Sequence, residues 1–280
     1  MDTHPLYPPL ENFKELVIKK LGEFPDLDFP AVWNSMKKDV LEQENRRAAG
    51  VLLLLSGSHN DDEQIYVHLI KRSRRVTQGG DVSCPGGMLN PRLDSWLTLL
   101  IRLYFWPVLV GSPRTLAKHR GPETFQLINL FLANALRETW EEIGLRPWNI
   151  RFLGPLPTYS LYTFQRTIFP LVGWIRHPWK ARISREVDRI FQIPLSAFFD
   201  INNYTHFFVT SDHDASYHLN LPAFVIPGES SRKEILWGAT FNIIMRFLFI
   251  VFGFNLPSIP EDATSHRILT PEYMKGNRDL

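Results

Sequence analysis

Arg137-Glu138-Thr139-Trp140-Glu141-Glu142-Ile143-Gly144-Leu145 places three carboxylates and a guanidinium within two helical turns. On an α-helix, positions i, i+3 and i+4 lie one above another. Glu138, Glu141 and Glu142 are therefore expected to share a face, with Leu136, Trp140 and Ile143 turned inward. Like charges on one face repel, whereas an ordinary solvated helix alternates their sign. Hard divalent cations favour carboxylate oxygens grouped in this way and keep water and substrate phosphate as further ligands. Arg137 offers a fixed fork of donors to brace the cluster. Gly144 suits the left-handed residue that ends a helix, so the carboxylates fall in its last two turns. Negative charge there opposes the helix dipole, a cost that a bound cation relieves. The plainer reading of Glu-x-x-Glu-Glu alone is a solvated helix end; the residues around it favour the metal.

Upstream lies Lys71-Arg72-Ser73-Arg74-Arg75-Val76-Thr77-Gln78-Gly79-Gly80-Asp81-Val82-Ser83, leading into Cys84-Pro85-Gly86-Gly87. Downstream come Glu186-Val187-Asp188-Arg189-Ile190-Phe191-Gln192-Ile193-Pro194-Leu195-Ser196 and Trp237-Gly238-Ala239-Thr240. Gly86-Gly87 and Arg-Glu-x-x-Glu-Glu-x-Gly-aliphatic resemble the two ends of the Nudix box, the signature of hydrolases that split diphosphates linked to another group. The flanking segments, in the same order, are similar to the coenzyme A diphosphatase branch of that family. The likeness spans roughly residues 50 to 250.

The chain departs from the family pattern in several places. Gly87 and Arg137 stand 50 positions apart. The family spacing is far shorter, which implies an insertion of about 36 residues inside the box. The first Glu of the box has no direct counterpart; Asp94, one position late, and Glu123 are the candidate substitutes. Thr139 stands in an aliphatic position, Val76 where the coenzyme A branch has Arg, and Cys84 where it has Phe.

The resemblance implies Mg²⁺ or Mn²⁺ held by Glu138, Glu141 and Glu142, with Arg137 and these glutamates forming the catalytic set. It leaves the general base open between a box glutamate and Glu186, whose plainer reading is an exposed loop carboxylate. Gly86 and Gly87 allow close backbone approach to a diphosphate. Arg72, Arg74 and Arg75 are candidate phosphate ligands, each equally readable as part of a solvated basic edge. The implied substrate is coenzyme A or an acyl derivative. Two alternatives remain: another nucleoside diphosphate derivative such as ADP-ribose or a dinucleotide, or a catalytically weak fold used for binding or at a membrane.

A chain of 280 residues, 44% hydrophobic and 21% charged, can bury one sizeable core. Its net charge of +2 argues against a general nucleic-acid binder. A single cysteine, Cys84, excludes an intramolecular disulfide and suits a reducing compartment. Met1–Leu10 has neither a basic region nor an apolar core, so the expected location is cytoplasmic. No histidine pair has ligand spacing.

Apolar runs at Ala49–Ser56 and Ile65–Ile70 read as a strand hairpin turning at His59–Asp62, and further strands are expected near Arg151–Leu156, Thr167–Trp174, Phe207–Thr210 and Ala223–Ile226. Helices are expected at Glu11–Leu21 and Glu234–Phe252, with a linker at Phe24–Pro30. This is an α/β (α+β) pattern. The resemblance refines it to a Nudix-type α/β/α sandwich with a mixed sheet and a helical apolar insertion. The expected organisation is an N-terminal helical extension (1–47), the Nudix domain (48–255, with the insertion at about 89–128) and a C-terminal tail (256–280). Trp96–Val110 within the insertion is nearly all apolar yet too short to span a bilayer. It must be covered by the protein's own core through Phe241–Phe254, by a partner, by a membrane surface in peripheral contact, or by an apolar substrate arm.

Overall fold

Along the strand Arg47–Gly57, Leu52 and Leu54 face one hydrophobic cluster while Leu53 and Leu55 face another, and all four are fully buried. A strand covered on both sides needs a layer on each. The computed structural model describes residues 9–41, 47–58, 64–161, 165–212, 218–228, 233–270 and Tyr273. Its elements run α1 (Leu10–Glu23), α2 (Phe29–Leu41), β1 (Arg47–Gly57), β2 (Ile65–Arg72), β3 (Val82–Ser83), β4 (Gly86–Met88), α3 (Pro91–Arg102), α4 (Ser112–His119), α5 (Pro122–Ile143), β5 (Ile150–Pro155), β6 (Tyr159–Leu161), β7 (Arg166–Ile175), β8 (Val187–Pro194), β9 (Tyr204–Ser211), β10 (His218–Ile226), β11 (Glu234–Leu236), α6 (Gly238–Phe252) and β12 (Thr264–Leu269).

The main sheet has the order β3-β2-β1-β7-β5. β1 and β7 run parallel, and the other pairs are antiparallel, so the sheet is mixed. β1 changes partner along its length. Ala49–Val51 pair with β4, whereas Leu54–Gly57 pair with β2. At that fork the Gly86-Gly87 backbone enters the sheet beside α5. In the same sheet β4 pairs with β1, β6 with β7 and β8 with β2, while a second sheet has the order β11-β10-β9-β12. One face of the main sheet packs on α1 and α6 through Phe13, Val17, Phe247 and Leu248; the other packs on α2 and α5 through Phe29, Phe131, Leu132 and Leu136. The expected mixed α/β sandwich is the observed architecture.

Several boundaries move. In the segment expected as a helical extension, Phe13, Val17, Leu21 and Phe29 are fully buried and put α1 and α2 on opposite faces of the sheet. The helix expected from Glu234 begins at Gly238, since Glu234–Leu236 pair with β10. Within the expected tail, Thr264–Leu269 form β12 alongside β9. The hairpin turn at His59–Asp62 lies outside the described residues. Trp96–Val110 and Phe241–Phe254 do not cover each other. Ile101, Trp106, Val108 and Leu109 belong to the cluster on α5, and α6 belongs to the opposite one. No helix among the described residues is long and apolar enough to cross a membrane.

β2 carries one buried ionisable group with little support. His68 is 3% exposed, its Nε2 lies 2.8 Å from Ser56 Oγ, and its Nδ1 is buried without a partner. Burial pushes its pKa down from 6.5 to about 4. Between those values the unfolded chain binds the proton that the folded chain refuses. Stability is therefore expected to be unaffected above pH 6.5 and to fall as the pH drops towards 4, by about 3 kcal/mol in total from this group. Urea unfolding midpoints measured across that window, with His68→Leu as the control that flattens it, check the expectation.

Candidate active site

Asn134 fastens α5 to the sheet. Its fully buried amide accepts a hydrogen bond from the Gly50 N–H at 2.7 Å and donates to the Met88 carbonyl at 3.0 Å, so one side chain satisfies backbone groups on β1 and β4 together. One turn further on, Arg137 reaches Asp94 at 2.7 and 3.1 Å, Glu138 at 2.8 Å and Glu141 at 3.1 Å. Burial opposes charge on the guanidinium, but Asp94, Glu138 and Glu141 outweigh it and hold the pKa above the ordinary arginine range.

Asp94 is completely buried and also accepts from the Asn90 N–H at 2.7 Å. Asn90 caps α3 by accepting from the Leu93 N–H at 3.1 Å. Of Asp94 and Glu123, the two carboxylates expected as substitutes, Asp94 is the one brought to Arg137; Glu123 is exposed and bonded to Asn34. The long detour thus lies between Asp94 and Arg137, 43 positions apart. It contains the rest of α3, all of α4 and about two thirds of α5.

Two of the three glutamates converge on the glycines. Glu142 is 4% exposed and accepts from the Gly86 N–H at 2.9 Å. Burial pushes its pKa up to about 8, reinforced by Glu138 and Glu186 and opposed by the Gly86 hydrogen bond and Arg72. Burial also raises Glu138 against the pull of Arg137. Glu138 lies over Gly87, where an added Cβ would stand 2.5 Å from its carboxylate, so glycine is what lets the two meet. Glu141 points outward, its side chain 58% exposed. At about 100° per residue, positions 138 and 142 lie about 40° apart, while 141 falls about 60° to the other side of 138 and about 100° from 142. For the same reason Trp140 is exposed, not interior, and packs edge-on against Trp148. Leu136 and Ile143 are buried as expected, and Gly144 ends the helix at φ 70°.

Among the described residues, no three His, Cys, Asp or Glu side chains are gathered closely enough to hold a metal ion. The donor set nevertheless fits a hard cation. Two desolvated carboxylates meet backbone at a glycine pair, and neither has enough positive charge beside it to keep its pKa down.

Gly86 and Gly87 line a cavity of about 470 Å³ between the two sheets. Ala49, Val51 and Ile168 form one wall; Leu219, Leu221 and Leu269 form the other. Of the three expected phosphate ligands only Arg72 lines it, whereas Arg74 and Arg75 are exposed elsewhere on the turn. Arg166, not foreseen from the sequence, also lines the cavity, and its pKa is lowered by burial and by repulsion from Arg72 and Arg47. Its signal was a single Arg opening an apolar strand. Trp237, Gly238, Ala239 and Thr240 border the same space, with Tyr159, Asp81 and Tyr273. The Asp81 carboxylate accepts from Tyr273 Oη at 2.6 Å and Trp237 Nε1 at 3.2 Å and pairs with Arg267. Glu186 is exposed, but its charge is felt at Glu142. Cys84 is buried and its thiol is pushed up to about 12 by burial and by Glu142, which disfavours the thiolate.

No protein-family model and no curated protein sequence matches the chain. Solved structures do align with it. A MutT/nudix family protein from Enterococcus faecalis is 15% identical over 78% of this chain and 69% of its own, with a TM-score of 0.43. A Nudix hydrolase from Alicyclobacillus acidocaldarius is 17% identical over 57% and 82%, with a TM-score of 0.37. The Ap4A hydrolase of C. elegans is 14% identical over 55% and 83%, with a TM-score of 0.34.

Removing Asp94 strands Arg137 among the glutamates. Asp94→Ala is expected to lower unfolding free energy by about 3 kcal/mol, the usual cost of breaking a buried ion pair. Urea denaturation measures it; a loss below about 0.5 kcal/mol would mean that the pair does not hold the site together.

Proposed function

We propose that the protein is a metal-dependent Nudix diphosphatase that splits coenzyme A or an acyl-coenzyme A into 3′-phospho-AMP and the 4′-phosphopantetheine product. The observation that carries this reading is the meeting of Glu138 and Glu142 with Gly87 and Gly86 at the wall of a largely apolar cavity that also holds two arginines. Glu138 and Glu142 would hold Mg²⁺ or Mn²⁺; Glu141, turned outward and paired with Arg137, stands apart from them. When bound, the ion neutralises phosphate oxygens and makes water a stronger nucleophile.

The chain's own residues supply the rest. The Gly86-Gly87 backbone leaves room for the diphosphate. Arg72 and Arg166, which repel each other in a desolvated wall, are relieved by phosphate anions, the 3′-phosphate among them. Leu161, Ile168, Leu219 and Leu221 offer the apolar surface that a pantetheine or acyl arm needs, and Tyr159 and Trp237 offer aromatic faces for a base. Glu142 or Glu186 takes the proton of the attacking water. Arg137 positions the glutamates; like them it does not line the cavity, whose wall on that side is the Gly86-Gly87 backbone. A second reading, hydrolysis of ADP-ribose or a dinucleotide, is favoured by the outward position of Arg74 and Arg75, which leaves the coenzyme-specific basic motif ungathered.

Turnover measured with Mg²⁺ or Mn²⁺ on coenzyme A, acyl-coenzyme A, ADP-ribose and a dinucleotide tests the proposal. Coenzyme substrates are expected to lead, and Glu142→Gln to lower kcat at least ~100-fold. Metal-dependent turnover of none of them would sink the enzyme reading, and preference for ADP-ribose would sink the substrate assignment alone. Arg166→Ala is expected to raise KM roughly tenfold with kcat little changed, the mark of a group that binds substrate and transition state alike. An equal fall in kcat and kcat/KM would instead place Arg166 in the chemical step.

A further inference from the structure

α3 covers α5 with one face and leaves the other bare. Trp96, Leu99 and Leu103 follow one another at helical spacing and are 59%, 45% and 63% exposed; Tyr104 and Phe105 extend the strip at 55% and 71%. A strip of this size is unusual on a soluble surface and marks a contact. The turn that displays it is strained. Tyr104 has φ 62°, a left-handed conformation that a bulky residue adopts only when held there. Arg114 holds it, its guanidinium 4.6 Å above the Tyr104 ring. The result is outward display of Leu103 and Phe105 instead of their burial.

Charge indicates what covers the strip. Residues 91–121 carry five Lys and Arg and a single carboxylate, Asp94, which is buried against Arg137. Arg92 and Arg102 flank the exposed strip, and Lys118 is exposed on the next helix. The basic surface continues. Arg176 donates to the Pro107 carbonyl at 2.7 Å, linking the end of the apolar turn to a cleft of about 660 Å³. That cleft is lined by Arg146, Arg176, His177, Lys180 and Arg182, by the indoles of Trp140, Trp148 and Trp179, and by no acidic side chain. Cations gathered without counter-charge, beside exposed Trp, Tyr and Phe, match a surface that is anionic outside and apolar beneath.

We propose that α3 and the Leu103-Tyr104-Phe105 turn lie in the interface of an anionic lipid bilayer, with the neighbouring cationic cleft receiving phosphate headgroups. The apolar strip enters the acyl boundary, Trp96 and Tyr104 sit at headgroup depth, and Arg92 and Arg102 stay with the phosphates. A second copy of the chain would be a poor occupant, since it would bring the same positive charge to the contact.

The test is sedimentation of the full chain with vesicles of phosphatidylcholine alone and of phosphatidylcholine with phosphatidylserine. The protein is expected to pellet with the anionic vesicles, to stay in solution with the neutral ones, and to be released progressively by salt. Leu103→Asp/Phe105→Asp is expected to lower binding roughly tenfold or more while the circular dichroism melt stays unchanged, because both side chains are already exposed. Lys180→Glu/Arg182→Glu should remove the preference for anionic vesicles. Wild-type protein absent from both pellets, equal binding to both vesicles, or undiminished binding of the aspartate variant would each overturn the proposal. So would light scattering that shows a wild-type dimer dispersed by the aspartate variant while neither protein binds vesicles.

Discussion

A buried carboxylate must be paired, and in this protein that requirement joins two segments separated by a long stretch of chain. Asp94 has no access to water and, among the described residues, one cationic partner, Arg137. Leaving either charge alone inside would cost several kcal/mol, so α3 and α5 are held in one relative position. Glu138 takes its place from the same guanidinium, and the Met88 carbonyl beside it draws β4 into the arrangement. The two helices and the glycine strand are therefore set by one cation.

Asn134 does for the backbone what Arg137 does for charge. The two lie three residues apart on α5 and both donate to the Met88 carbonyl, so β4 is fastened there twice over. β4 can lie there because β1 exchanges it for β2 partway along, leaving a fork in the sheet. The glycines at the fork face the carboxylates on one side and the cavity on the other. Stability and chemistry pull against each other at this point. Glu138 and Glu142 are buried close together and both resist ionisation, a cost the fold carries and an ion would remove.

The cavity depends on parts of the chain that are remote from Gly86-Gly87 and α5. Its second wall comes from β10, β12 and the start of α6. The pair Asp81–Arg267, with Tyr273 and Trp237 on the same carboxylate, links that wall to the segment before β3. From the stretch expected to be a tail, Leu269, Thr270 and Tyr273 line the space opposite Gly86-Gly87.

The sequence by itself determined the elements whose signal is local. Alternating and continuous apolar runs mark β1, β2, β5 and β7, and the spacing of Glu138, Glu141 and Glu142 before Gly144 marks the end of α5. Helical spacing also sets Glu138 and Glu142 together, because that follows from 3.6 residues per turn. Only the tertiary structure decided whether Gly86-Gly87 reaches them, and that Asp94 rather than Glu123 faces Arg137. It also decided that Arg166 enters the cavity while Arg74 and Arg75 leave it. Each of these joins residues far apart in the chain, and burial, not spacing, selects the partner. A pattern can show that a charge needs a counter-charge; which one it meets is settled when the layers close and water is excluded.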